Sequence, residues 1–278
     1  MAIRLIAIDL DGTLVNSRGE VSPKNRSCLR EAVDGGVNVI IVTGRRYHSA
    51  LPFVEQVPGA PFIISSNGAR IGTASGEVLH TNLLPWETAR HVLAASRDYL
   101  GYAAAFFDIS GRGQIVMREE AASDGPLRWY LKSCPDCLLQ VPDLLTEMTR
   151  DPLQVTFGGP PSAIEPLEPV LRASNVAPRF HLTWTKYLTR NLSLLDVMNQ
   201  TCSKGSALGY WARKCEIRRE EVMAIGDNLN DLEMLEFAGQ PVLMANHNLD
   251  PVPDGWPVTD SNDDDGVAHA IERFVLGR

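Results

Sequence analysis

The 278-residue sequence contains no long apolar run and no cluster of basic residues. A membrane-spanning helix needs about 18 or more apolar residues in succession, so the sequence predicts no membrane association. Acidic residues outnumber basic ones by 34 to 26, a formal net charge of −8, whereas nucleic-acid-binding surfaces require clustered Lys and Arg. The amino terminus also lacks the charged and apolar regions of a signal peptide. We therefore expect a cytoplasmic protein that binds neither nucleic acid nor a membrane.

Cysteine and histidine are too sparse and too scattered to indicate a metal site. The five cysteines include one close pair, Cys134 and Cys137. A structural zinc site takes four ligands, and no second pair follows at a suitable spacing. The pair is therefore predicted to remain as reduced thiols in a turn. The sequence also lacks a phosphate-binding P-loop, a Gly-x-Ser-x-Gly elbow and a dinucleotide-binding glycine motif.

The most informative stretch that is present joins a short apolar run to two aspartates. Residues 3–8 are predicted to form a buried strand, and Asp9 and Asp11 follow it directly. Gly12 permits a sharp turn, and Thr13 offers a hydroxyl that can orient a neighbouring group. Ligands bind at the carboxyl ends of strands in open α/β sheets, and two carboxylates this close are costly without a cation or phosphate chemistry. Taken alone, the stretch is also compatible with an Asp-Gly turn after an edge strand.

Two further strands are predicted to end in polar residues suited to the same edge. The apolar residues 37–42 lead into Thr43 and Gly44, whose hydroxyl and backbone N–H can hold an anion. The apolar residues 222–225 are followed by residues 226–231, which carry two aspartates. Each segment alone is compatible with a solvated turn. Their order, each after a predicted strand, favours one common site.

A lysine at a predicted helix start would bring positive charge to this site. Ser203 is a suitable N-cap, so Lys204 would add its charge to the positive end of the helix dipole. The four aspartates of the two acidic segments would then face one lysine. A divalent cation relieves such an excess of negative charge. Metal dependence is therefore expected from the residues alone.

These motifs together resemble the haloacid dehalogenase superfamily of hydrolases, specifically its Cof-type branch (subfamily IIB). The matching segments are residues 9–14, 43–45, 65–69, 203–205 and 226–231, followed by 233–235, 242–246 and 265–268. The resemblance implies an α/β fold: a Rossmann-like parallel-sheet core built from residues 1–83 and 191–278. It also implies a large inserted α/β cap domain, residues 84–190, that determines substrate specificity.

The pattern within the insertion predicts a mostly antiparallel sheet with helices. The expected helices are residues 86–99 and 163–174, and the expected strands are residues 102–107, 114–118, 153–157 and 179–187. Aromatic side chains either stack on a substrate or fill a domain core. Both interpretations stay open for four aromatic residues of the insertion, namely Trp129, Tyr130, Trp184 and Tyr187.

The resemblance also implies roles for individual residues. Asp9 would be the nucleophile that forms an aspartyl-phosphate, and Asp11 the general acid/base. Mg²⁺ would bind the Asp9 carboxylate, the Asp11 backbone carbonyl and the Asp227 carboxylate, with Asp231 supporting that site. The implied phosphate-binding groups are the Leu10 and Gly44 N–H groups, the Thr43 hydroxyl, the Lys204 ammonium and the Asn230 amide.

The implied function is Mg²⁺-dependent hydrolysis of a small phosphorylated metabolite, with sugar phosphates favoured. A phosphomutase of the same superfamily is one alternative. A non-catalytic regulatory protein that binds a phosphorylated ligand is another, but it would have no need of Asp11 as an acid/base. Arg45 could contact the phosphate, cap the following helix or pair with a carboxylate.

Overall fold

The computed structural model describes residues 2–59, 62–124, 127, 134–187 and 190–278. The chain divides into two compact units: the first comprises Met1–Thr81 and Ser203–Arg278, and the second comprises Asn82–Cys202. Within the described ranges, none of the helices combines the length and the apolarity needed to cross a lipid bilayer.

The secondary structure alternates between strands and mostly short helices. The strands are β1 (Leu5–Ile8), β2 (Asn38–Val42), β3 (Phe62–Ser65), β4 (Arg70–Thr73), β5 (Val78–Thr81), β6 (Ala103–Phe106), β7 (Ile115–Arg118), β8 (Leu138–Val141), β9 (Gln154–Gly159), β10 (Phe180–Tyr187), β11 (Leu192–Asn199), β12 (Val222–Gly226) and β13 (Gln240–Leu243). The helices are α1 (Pro23–Asp34), α2 (Tyr47–Val54), α3 (Trp86–Ala95), α4 (Glu119–Asp124), α5 (Leu144–Glu147), α6 (Pro161–Ile164), α7 (Leu167–Arg172), α8 (Lys204–Lys214), α9 (Leu232–Phe237) and α10 (Gly266–Ile271). A π-helical turn, Glu272–Leu276, follows α10.

The first unit contains the parallel sheet that the sequence predicts. Its strand order is β13-β12-β1-β2-β3-β4-β5. The five strands from β13 to β3 pair in parallel, and β4 and β5 add an antiparallel edge. Side chains of β1 alternate between two buried cores, because successive residues of a strand point to opposite faces. Ile6 and Ile8 pack on the core that includes α1 and α10, and Leu5 and Ala7 pack on the core that includes α8 and α9.

The second unit contains a six-stranded sheet in the order β10-β11-β9-β6-β7-β8. Its pairs are antiparallel except for β7 with β8, in line with the mostly antiparallel sheet expected from the pattern. The single helix expected at residues 163–174 is divided into α6 and α7. Pro166 lies between them, and a proline has no N–H to continue the helical hydrogen bonds.

The return from the second unit to the first differs from the expectation. The return was expected at Asn191, but β11 pairs with β10 on one side and with β9 on the other. A central strand needs both neighbours to satisfy its backbone groups, so β11 belongs to the second sheet and the second unit extends to Cys202. That unit also begins at Asn82 rather than at residue 84.

The close cysteine pair also differs from the expectation. Cys134 and Cys137 form a disulfide, so the prediction of reduced thiols is wrong. A 3₁₀ turn, Pro135–Cys137, brings their Cα atoms within 5.4 Å, a separation that a disulfide can bridge. The turn itself agrees with the expectation, and only the oxidation state of the two sulfur atoms differs from it.

Candidate active site

The predicted site residues of the first unit meet at one edge of its sheet. Strand β1 lies between β12 and β2, and all three run in parallel, so their carboxyl ends are neighbours. Asp9 follows β1, Thr43 follows β2 and Asp227 follows β12. The Asp9 N–H donates to the carbonyl of Ile225 in β12 at 3.1 Å. All three residues are buried: Asp9 is 4% exposed, Thr43 is 1% exposed and Asp227 is 6% exposed.

A buried cluster of three aspartates and one lysine forms the centre of the site. One carboxylate oxygen from each of Asp9, Asp227 and Asp231 lies within 4.8 Å of the others. The Lys204 ammonium donates to Asp9 Oδ1 at 2.7 Å and to Asp231 Oδ1 at 2.6 Å. Lys204 is 1% exposed, and Ser203 caps its helix α8 as the sequence predicts. One ammonium between three carboxylates leaves an excess of buried negative charge.

Burial and mutual repulsion shift the ionisation of this cluster. Burial raises the pKa of Asp9 to about 7, because it outweighs the opposing effect of the Lys204 charge, and Asp231 adds to the increase. Burial, with the charges of Asp231 and Asp9, also raises the pKa of Asp227 well above its ordinary value. Burial alone would lower the pKa of Lys204, but Asp231 and Asp9 outweigh it and the pKa is raised. The lysine therefore stays charged, whereas Asp9 binds a proton readily near neutral pH.

Asp231 holds the loop after β12 in place. Its Oδ2 accepts hydrogen bonds from the Asp227 N–H at 3.1 Å and from the Asn228 N–H at 3.0 Å. Gly226 is required beside it, because a Cβ there would lie 2.6 Å from the Asp231 Cβ. With its oxygens engaged by Lys204 and two backbone N–H groups, Asp231 is suited to supporting the site rather than to binding a cation directly.

Gly12 and Thr13 orient the Asp227 side chain. The Thr13 hydroxyl donates to Asp227 Oδ1 at 2.9 Å, so Thr13 does orient a neighbouring group, as expected. Gly12 has φ +82°, and a Cβ at this position would lie 2.4 Å from Asp227 Oδ2. Glycine is therefore needed both for the turn and for the close approach of the carboxylate.

Three residues predicted to bind phosphate, Thr43, Gly44 and Asn230, lie around Asn67, for which no role was predicted. A Cβ added to Gly44 would lie 2.9 Å from Asn67 Oδ1, which also accepts from the Asn230 amide at 3.0 Å. The Asn67 N–H donates to the Thr43 carbonyl at 3.1 Å. Leu10, the remaining predicted contributor, is fully buried directly after β1. Asn67 has φ 52°, and an asparagine before a glycine is the sequence signal for such a backbone.

The Asp11 side chain pairs with Arg45. Arg45 Nε donates to Asp11 Oδ2 and Arg45 Nη2 donates to Asp11 Oδ1, both at 2.6 Å. Of the roles left open for Arg45, the structure shows pairing with a carboxylate, whereas the N-cap of α2 is Arg46. Among the described residues, the carboxylate cluster that could hold a metal contains Asp9, but the Asp11 side chain is not part of it.

The donor set fits a divalent cation that prefers oxygen ligands. Asp9 and Asp227 present buried carboxylates, and their negative charge exceeds what Lys204 neutralises. Hard cations such as Mg²⁺ and Ca²⁺ bind oxygen ligands, and Mg²⁺ needs only one or two protein carboxylates because it keeps several waters. The Asp11 backbone carbonyl, two residues after Asp9, stays a predicted ligand.

Trp184 and Tyr187, two of the four aromatic residues for which substrate contact and core packing were left open, lie among the described residues. Trp184 packs against the core of the second unit, and its indole N–H donates to Glu168 Oε2 at 2.6 Å. Tyr187 packs against a smaller apolar cluster of the same unit. Trp129 and Tyr130 lie outside the residues that the structure describes. Trp184 and Tyr187 therefore serve the packing of the second unit.

Comparison with known proteins gives consistent matches over most of the chain. A family model described as haloacid dehalogenase-like hydrolase matches residues 6–271. The phosphatase YwpJ of Bacillus subtilis is 29% identical, covering 98% of this chain and 100% of its own length. The HMP-PP phosphatase of Serratia proteamaculans is 30% identical, covering 87% of this chain and 84% of its own length. A solved haloacid dehalogenase-like hydrolase from Bacteroides thetaiotaomicron is 28% identical with a TM-score of 0.78, covering 98% of this chain and 99% of that one.

Proposed function

The chain belongs to the haloacid dehalogenase-like hydrolases, and from this premise we propose that it is a Mg²⁺-dependent phosphatase acting through an aspartyl-phosphate on Asp9. It is a phosphoric monoester hydrolase, as its named relatives are phosphatases. The observation that carries the mechanism is the buried Asp9 carboxylate held at 2.7 Å by the Lys204 ammonium, with Asp11 two residues further on. In the proposed reaction these three residues supply the nucleophile, a cation for the phosphoryl oxygens and the acid/base.

Each residue has a defined task in the proposed reaction. A carboxylate oxygen of Asp9 attacks phosphorus while the bond to the leaving oxygen breaks, and Asp11 gives that oxygen a proton. In the second displacement a water oxygen attacks phosphorus and its proton passes to Asp11. The bond to Asp9 then breaks and inorganic phosphate leaves. Lys204 and the loop that carries Thr43 and Gly44 hold the equatorial oxygens throughout.

Mg²⁺, bound by the Asp9 and Asp227 carboxylates and the Asp11 carbonyl, would neutralise charge on the phosphate and on these ligands. Its binding is expected to release protons, because the raised pKa of Asp9, about 7, leaves protons on the cluster near neutrality. Affinity for Mg²⁺ should therefore increase as the pH rises through about 7.

Isothermal titration calorimetry in two buffers of different ionisation enthalpy counts the released protons without any measurement of activity. Asp227→Asn should weaken Mg²⁺ binding by at least about tenfold. Asp254→Asn, which changes an exposed aspartate, should leave it unchanged. An affinity that stays constant between about pH 5.5 and 8 would contradict the assigned ligands.

The proposed substrates are small phosphomonoesters, with sugar phosphates first. One relative is named for HMP-PP and two others for 5-amino-6-(5-phospho-D-ribitylamino)uracil, so the substrates for which relatives are named are varied. We also propose that the second unit, Asn82–Cys202, determines which of them is hydrolysed. Replacing that unit by its counterpart from a relative should change the order of preferred substrates, and an unchanged order would refute its role.

Phosphate release across a panel of sugar phosphates, nucleotides and phosphorylated cofactors tests the proposed function. We expect release with Mg²⁺ and none with a chelator. Transfer of the phosphoryl group back to substrate without net release would instead indicate a phosphomutase. Binding of phosphorylated ligands without turnover would indicate a regulatory protein.

A further inference from the structure

The pairing of Arg45 with Asp11 has a geometry suited to fixing a side chain in one position. Two parallel N–H groups of the guanidinium donate to the two carboxylate oxygens at 2.6 Å. This two-point arrangement fixes both the location and the plane of the carboxylate, which a single hydrogen bond does not do. The side chains are 27% and 31% exposed, so Asp11 remains within reach of water and of a bound substrate.

Arg45 is itself held at several points. Its backbone N–H donates to the Thr43 hydroxyl at 3.1 Å, and its carbonyl accepts from the Ser66 N–H at 2.8 Å. The guanidinium also donates through Nη1 to the Ser49 carbonyl at 3.3 Å and lies 4.3 Å from the ring centre of Phe53. Because the guanidinium is fixed by its backbone, by a carbonyl and by an aromatic ring, it can hold a hydrogen-bonded carboxylate in one position.

We propose that Arg45 is a positioning residue that places the Asp11 carboxyl group for proton transfer to the leaving oxygen. The inference rests on the proposed phosphatase function and adds a role that neither the motifs nor the comparisons assign. Proton donation needs the acid within hydrogen-bond reach of the leaving oxygen, and a carboxylate on a turn is otherwise free to rotate. When Asp11 gives up its proton, Arg45 holds the resulting carboxylate ready to accept a proton from water in the second displacement.

An alternative role for Arg45 is direct binding of the phosphate. The two roles predict different effects of replacing Arg45 on the hydrolysis of substrates with different leaving groups. A phosphate-binding residue serves every phosphomonoester alike. A residue that acts through the general acid matters for an alcohol, whose anion must be protonated, and much less for a phenol such as p-nitrophenol, whose anion is stable.

The test compares kcat/KM for p-nitrophenyl phosphate with that for the best alkyl phosphate of the panel. Arg45→Met should reduce turnover of the alkyl phosphate by about 100-fold and that of p-nitrophenyl phosphate by less than about threefold. Arg45→Lys keeps the charge but loses the two-point contact, so it should fall between the wild type and Arg45→Met.

Two controls make the result specific. Adding Arg45→Met to Asp11→Asn should lower kcat/KM little further than Asp11→Asn alone does, because the effects of substitutions at residues that act as a unit are not additive. Arg218 also pairs with one carboxylate through two nitrogens, Nε at 3.3 Å and Nη2 at 3.2 Å from Glu221. It lies before β12, at the opposite end of the sheet strands, so Arg218→Met should not change the ratio between the two substrates.

Equal losses on both substrates, or a further large loss in the double variant, would overturn the positioning role while leaving the phosphatase function intact. A wild-type protein that hydrolyses neither substrate would overturn the proposed function and this inference with it. Thermal unfolding shows which variants are folded. If Arg45→Met is not folded, the same substrate comparison on Arg45→Lys decides the matter.

Discussion

Asp9→Asn is expected to reduce phosphate release to the assay background, a loss of roughly a million-fold. The asparagine keeps the size of the side chain and an oxygen that can accept from Lys204, but it is a very poor nucleophile. The substitution should have little effect on the stability of the folded state. Burial raises the pKa of Asp9 to about 7, which means that the fold disfavours the ionised form. Removing this charge therefore relieves repulsion from Asp231 and costs no more than one charged hydrogen bond.

The measurement is phosphate release together with mass spectrometry of protein quenched in acid during turnover. The wild type should carry one added phosphoryl group on the peptide that contains Asp9, and Asp9→Asn should carry none. Asp254→Asn, at an exposed aspartate, is the matched control and should behave like the wild type. Residual turnover of Asp9→Asn above about 1% would show that another group is the nucleophile.

Lys204→Met is expected to impair both activity and stability. The ammonium is fully buried between Asp9 and Asp231, so its loss leaves two buried carboxylates without their counter-charge. Removing one partner of a buried ion pair typically costs about 3–5 kcal/mol, and removing a preorganised charge from a transition state costs about 100- to 1,000-fold in rate. A methionine keeps most of the volume of the side chain, so the loss is electrostatic rather than one of packing.

The sign of the pH dependence separates this effect from simple unfolding. Without Lys204 the carboxylates bind protons more readily in the folded state, so the variant should lose stability relative to the wild type as the pH rises through about 7. Thermal unfolding at several pH values measures this difference. Lys214→Met, at the exposed far end of the same helix, is the control. Equal stability of Lys204→Met and the wild type at every pH would contradict the assigned ion pair.

The local sequence by itself determined which residues lie together at the candidate site. Asp9, Thr43 and Asp227 could be placed because each follows a short apolar run, and parallel strands bring their carboxyl ends to the same edge. Lys204 could be placed because Ser203 is a helix N-cap. The expectation of a cation followed from counting carboxylates against one lysine, which requires no coordinates.

The tertiary structure decided what depends on pairing between distant segments. An apolar run such as Leu192–Asn199 fits either sheet until its partners are known, and both partners, β9 and β10, lie in the second unit. The contact of Asp11 with Arg45 and that of Asn230 with Asn67 join residues 34 and 163 positions apart. Side chains at such separations meet only through the packing of the sheet and its loops, which sequence spacing does not encode.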